Sequence, residues 1–126
     1  MVKEAFLKRK ELHPSGRLML LTRYLPWQKA VVEIEQELNC EGELLYVIFP
    51  DVKGNKWRIQ AVAKKEGSFE LRKGLKESWR GIKDEGKLKA VSGIEDIDFV
   101  HANGFIGGAV SQASAVVMGV ESMSQE

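Results

Sequence analysis

The chain of 126 residues contains one cysteine, Cys40, and two histidines, His13 and His101. A single thiol excludes an intramolecular disulfide framework and a zinc site built from several cysteines. Cys40 falls between a helix end and a turn, where a small half-buried residue is ordinary. No apolar run reaches the roughly eighteen residues of a membrane-spanning helix. The opening MVKEAFLKRKELHPSG is charged and lacks the apolar segment of a secretory signal. No membrane is therefore expected as a partner, and the default location is cytoplasmic. Charge of one sign is also missing: 19 Lys+Arg against 18 Asp+Glu leave a net +1. That excludes a domain-wide basic footprint for duplex nucleic acid and leaves a local patch open. No HExxH, no pair of histidines at metal spacing and no aspartate cluster occurs. Asp96, Asp98 and His101 lie close in sequence, but positions 98 and 101 of a strand face opposite sides. No metal is expected to be held by this chain alone.

What is present suits one domain of ordinary composition, 44% hydrophobic and 29% charged. At this length, folding removes roughly two-thirds of the unfolded surface from water, enough for a core. Residues 1–15 are charged, with a thin apolar stripe, and read as an arm or linker remnant ending at Pro14-Ser15-Gly16. The domain proper is expected over 16–120, with 121–126 a disordered tail. RLMLLT (17–22) suits a buried strand. Beyond Pro26, residues Trp27, Ala30, Val31, Ile34 and Leu38 recur at helical spacing, and Asn39 and Gly42 end that helix. LLYVIF (44–49) reads as a strand covered on both faces. Pro50 to Asn55 form a turn, and the alternating run from Trp57 to Ala63 pairs back as an antiparallel hairpin. SFELR (68–72) reads as a third antiparallel strand. Asp84 and Gly93 bracket a short helix as cap and left-handed stop. Residues 98–102 form a short strand, 103–108 a glycine-rich turn and 109–120 a final helix. The order β, α, β, β, β, short α, β, α implies an α+β fold: one mixed sheet of about five strands, with an antiparallel hairpin and helices packed against it.

The segment FVHANGFIGG (99–108) is the first candidate for chemistry. A strand that passes through glycines into a helix N-terminus presents free N–H groups and a positive dipole end, where phosphates bind. His101 would add a donor beside Gly104, Gly107 and Gly108. The other reading is that these glycines serve tight turning and close packing, with His101 structural. Arg58 and Gln60 are the second candidate, since they share a strand face and can hold a phosphate or a base edge. Taken alone, the solvated face of a hairpin is the favoured explanation of the pair. Trp79-Arg80 is the third: the indole either stacks a base or plugs the sheet edge. Lys64-Lys65, Arg72-Lys73 and Lys87-Lys89 read as solvated surface.

In order, PWQKAVVEIE, LLYVIFPD, NKWRIQAV, SFELRKGL, ESWRGIKDE, VSGI and FVHANGFIGG resemble the C-terminal region of the Myg family, metal-dependent hydrolases related to the DHH phosphoesterases. The resemblance runs from about Pro26 to Met118, and more weakly back to Gly16. It implies membership of a group thought to remove nucleotides from RNA 3′ ends, with two lobes. One lobe carries a His/Asp-rich metal site opening with a string like HDGxFHADE; the other, DHH-associated, grips the substrate. The gripping motif maps onto His101, Gly104, Gly107 and Gly108, W-R-I-Q onto Arg58 and Gln60, and W-R-G onto Trp79 and Arg80. No HDGxFHADE-like string occurs in this sequence, and Ala109 to Ser114, where the family usually carries charge, are uncharged. The expected function is thus a substrate-recognition lobe, inactive alone. Mn²⁺ or Mg²⁺ would be held on a separate catalytic lobe or partner chain, and RNA or a nucleotide would be the substrate. The alternatives are a stand-alone binder of nucleotides or single-stranded nucleic acid, or an assembly domain without ligand that pairs with a second copy of itself.

Overall fold

The apolar run Tyr46–Pro50 forms an interior strand of the sheet. The computed structural model describes residues 1–53 and 55–125; Gly54 of the expected turn and Glu126 of the expected tail lie outside the described residues. Helices α1 (Val2–Leu7) and α2 (Arg9–Leu12) precede β1 (Leu18–Leu20), and α3 (Gln28–Leu38) leads to β2 (Tyr46–Pro50) and β3 (Trp57–Ala61). A 3₁₀ turn (Glu77–Trp79), α4 (Glu85–Ser92), β4 (Ile97–Val100), β5 (Ile106–Ala109) and α5 (Gln112–Met123) follow. The sheet has five strands in the order β1-β2-β3-β5-β4. β1 and β2 are parallel, because α3 carries the chain back to the same end; the other pairings are antiparallel. The expected α+β mixed sheet is the observed one.

Period-two alternation sends each strand's side chains to two layers. On one face Leu18, Tyr46, Ile48, Ile59 and Ile97 pack with Trp79, Leu88 of α4 and Ala115 and Met118 of α5. On the other, Met19, Val47 and Phe49 pack with Phe6 of α1 and with Trp27, Val31 and Ile34 around α3. Phe6 is fully buried, so the N-terminal segment joins the core. α5 continues to Met123 with Ser122 buried, and Gln125 holds the 74–77 loop through Gly74 O (3.1 Å) and Glu77 N–H (2.9 Å). Ser122, Met123 and Gln125 belong to the 121–126 segment read from sequence as a tail.

Two elements differ from the sequence reading. SFELR forms no strand: one bridge, Ala63 to Leu71, is made, and Phe69 and Glu70 stay exposed. The place beside β3 is taken instead by β5, whose glycines were expected in a turn. Glycine is a poor strand former in isolation. Here, between β3 and β4, it lets neighbouring groups approach: a Cβ at Gly107 would stand 2.9 Å from the Phe99 carbonyl oxygen and 3.0 Å from Leu75 Cδ1. The turn itself falls at 101–105, and Ala109 belongs to β5, so the last helix starts at Gln112. Among the described residues, no helix is long and apolar enough to cross a membrane.

Candidate substrate-binding face

The sequence expectation placed an anion cradle at the N-terminus of the last helix. The geometry closes that position. Ser111 caps α5 through its Oγ, which accepts the Ser114 N–H at 3.2 Å. Asp96, just before β4, then fills the anion position: its Oδ2 accepts the Ser111 N–H at 2.9 Å, and its Oδ1 accepts the Ser114 hydroxyl. The Ser114 hydrogen bond lowers the Asp96 carboxyl below its ordinary range; partial burial opposes it and the Ser111 bonds add to it. A carboxylate of the chain itself thus takes the role foreseen for phosphate. Gly107 and Gly108, buried in β5 and paired on both sides, leave no glycine loop there.

The 101–105 turn is held from within. Gly104 has φ 75°, a left-handed conformation that favours glycine. A Cβ there would also run into Arg80, whose Nε donates to the Leu75 carbonyl at 2.9 Å. Arg80 therefore clamps the 74–75 segment against the turn, while the Leu75 N–H donates to Gly104 O at 2.9 Å. Trp79 is 1% exposed inside the α4/α5-side core, which removes it from base stacking and realises the packing alternative. His101 is exposed; its Nδ1 lies 2.8 Å from Asn103 Oδ1, which also accepts the Phe105 N–H at 3.2 Å. The Asn103 N–H also points at Nδ1, at 3.3 Å. The ring meets Phe105 edge-on, with centroids 4.7 Å apart.

The remaining pair lies on a different surface. α1 and α3 cover the β1–β2 half of their face. The β3–β5–β4 half of that face carries half-buried side chains: Arg58, Gln60, Phe99 and Ile106. Gly108 lies between Arg58 and Phe99 in register, and a Cβ there would sit 2.6 Å from Arg58 Nη1 and 3.1 Å from the Phe99 ring. The missing side chain lets the guanidinium stand 5.0 Å from the Phe99 ring centroid, within cation–π range. Asp98 Oδ2 is 3.4 Å and Asp51 Oδ2 3.9 Å from this guanidinium, and Lys56 reaches Asp98 at 3.5 Å. Two cations and two carboxylates leave the cluster near neutral. Farther along β3, Gln60 lines a cleft of about 380 Å³ with Trp27, Gln28, Phe69, Asn103 and Phe105. The expected site residues thus divide: Arg58, Gln60 and Gly108 share the open face, His101 belongs to the turn at its end, and Trp79, Arg80, Gly104 and Gly107 serve packing.

Two charged residues were misread as solvated. Arg72 makes a bidentate pair with buried Glu35 (2.6 and 2.7 Å) and donates to Leu44 O at 2.9 Å, while the Leu44 N–H donates to Glu35 Oε2 at 3.0 Å. Lys73 Nζ donates to the Met123 carbonyl at the end of α5 (2.8 Å). Cys40 keeps a raised thiol pKa, chiefly through burial and then the nearby Glu43.

A family model described as an uncharacterised protein family (UPF0160), MYG1 exonuclease, matches residues 1–123. The chain belongs to the MYG1 family. It is 40% identical to a MYG1 protein of Dictyostelium discoideum over 98% of this chain and 37% of that protein. It is 39% identical to the MYG1 exonucleases of Bos taurus and Homo sapiens, over 99% of this chain and 32% and 33% of theirs. No solved structure matches. The chain thus spans about a third of the length of these MYG1 relatives. These matches carry neither a kinship with the DHH phosphoesterases nor the C-terminal placement expected above, and that placement is not retained.

Proposed function

We propose that this chain is an RNA-binding part of a MYG1-type nuclease, and that cleavage requires groups it does not itself contain. The observation carrying this reading is the uncovered sheet face where Arg58 stands beside the Phe99 ring and Gln60 opens into a cleft. An aromatic and a guanidinium on an accessible strand surface suit stacked bases and a phosphate backbone. The near-neutral Arg58–Asp98–Asp51–Lys56 cluster supports modest, salt-sensitive affinity, because an incoming phosphate competes with two carboxylates.

Some relatives are named exonucleases, which supports phosphodiester cleavage as the activity of the longer protein. Metal-assisted cleavage would use Mn²⁺ or Mg²⁺ held by converging carboxylates and histidines. Among the described residues no three His, Cys, Asp or Glu side chains converge. The described residues do not fit such an ion, and no step of the reaction is assigned to them. A separate metal-bearing lobe or partner chain completes the enzyme in this reading.

The test is direct. The purified chain, given Mn²⁺ or Mg²⁺, leaves labelled single-stranded RNA intact yet binds it, with affinity falling as salt rises by a slope of about −0.7 per phosphate neutralised. Arg58→Ala weakens binding and reduces that slope. Cleavage by the chain alone, or no binding at low salt, overturns the proposal.

A further inference from the structure

The cleft beside Gln60 differs chemically from the Arg58 cluster. Every side chain that lines it is uncharged. Its walls include two phenylalanines: Phe105, half-buried at the 101–105 turn, and Phe69, fully exposed on the 64–70 loop. Three carboxamides also line it: Gln60 on β3, and Gln28 at the start of α3 and Asn103 in the turn, whose oxygens accept the Trp27 and Phe105 N–H groups. Trp27 also lines it, and its buried indole N–H has no acceptor among the described residues.

An apolar pocket in this position would need no amides, and a phosphate pocket would need cations. Aromatic side chains together with the Gln60 carboxamide match a planar, neutral, polar ring. A carboxamide can bond a base edge through its NH₂ and C=O together. Arg58 and Gln60 are two residues apart on one face of β3, about 6.8 Å along the strand. That spacing is comparable to the reach from a base across its ribose to its phosphate.

We infer that the cleft is a base pocket for one unpaired nucleotide, with its phosphate turned toward Arg58. The inference rests on the RNA-binding reading above and narrows its substrate to single-stranded ends or loops, because a paired base cannot enter. Phe69 is the stacking platform, Gln60 the edge reader, and Phe105 the opposing wall.

The experiment measures binding of the full 126-residue chain to three probes at low salt: a short single-stranded RNA, the same RNA in duplex form, and an abasic ribose-phosphate oligomer of equal length. Phe69→Ala and Gln60→Leu are the test variants, with circular dichroism to verify folding. Phe69 is exposed and Gln60→Leu conserves volume, so both keep the fold. Each is expected to weaken single-stranded binding about tenfold, as loss of one stacked base does, and to leave the abasic oligomer unchanged. Arg58→Ala weakens both probes. If the wild type binds abasic oligomer as well as RNA, or if the two variants lose nothing, the base pocket is refuted while the RNA-binding reading stands. If no probe binds, both fall together.

Discussion

Asp96 and Ser114 are joined across the junction of β4 and α5: the Ser114 hydroxyl donates to one carboxylate oxygen of Asp96, while the other accepts the Ser111 N–H at 2.9 Å. The contact satisfies the start of the last helix with the protein's own charge. It thereby moves the candidate ligand surface from a helix end to an open sheet face.

The Asp96 contact is itself testable by pH. Its folded carboxyl pKa is lowered, with the Ser114 hydrogen bond the largest cause. The stabilisation is therefore complete above the unfolded value of about 3.9 and is lost as pH falls through the lower folded value. Asp96→Ala should cost about 1–2 kcal/mol at neutral pH, in the range of a lost charged hydrogen bond and helix cap. In urea titrations the gap between mutant and wild type should narrow below about pH 4. A gap that is constant down to pH 2 would show that the carboxylate charge contributes nothing.

Glu35 and Arg72 form the most enclosed ion pair, with side chains 1% and 11% exposed. Removing one partner strands a buried charge. Arg72→Met should cost about 3–5 kcal/mol, a large part of a stability of about 5–15 kcal/mol. The double change Glu35→Leu with Arg72→Met should recover much of that loss, although the Leu44 N–H forfeits its acceptor. Denaturation midpoints of the singles and the double give the coupling. Equal losses in Arg72→Met and the double would argue against a stranded Glu35 charge.

At the 101–105 turn, Gly104→Ala combines a left-handed backbone with a Cβ placed against Arg80. The backbone share alone is about 1–2 kcal/mol. On an Arg80→Ala background the steric share should vanish and the backbone share persist. Thermal denaturation of the four proteins separates the two. A full loss on both backgrounds would show that Arg80 is not the obstacle.

Trp79 gives a contrast with the surface aromatics. Because it is 1% exposed, Trp79→Phe should cost about 1–3 kcal/mol, as core substitutions that leave space do, while RNA binding of the folded variant stays unchanged. A specific loss of binding without loss of stability would return this indole to the site.

Much of the framework is legible from short-range chemistry. The apolar period after Pro26 marks α3, which stops at Asn39 with φ 55°. The two apolar runs around Pro50 pair as expected, with Ile48 opposite Ile59. Asp84 caps α4 by accepting the Lys87 N–H at 3.1 Å, and Gly93 ends the helix with φ 71°. These signals act within a few residues, where the chain's own spacing sets the geometry. The shared face of Arg58 and Gln60 belongs to the same class, since a strand fixes it by alternation.

What the residues determined alone was the set of elements with strong local preference and the α+β class. What only the tertiary structure decided was which partners distant groups met. Glycines 107 and 108 became a central strand because β3 and β4 supply hydrogen-bonding edges on both sides. Arg72 found Glu35 across 37 positions, and Asp96 reached the start of α5 across 15. Such pairings depend on chain closure and burial summed over the whole molecule. No local pattern encodes them, and they set which surface stays open for a ligand.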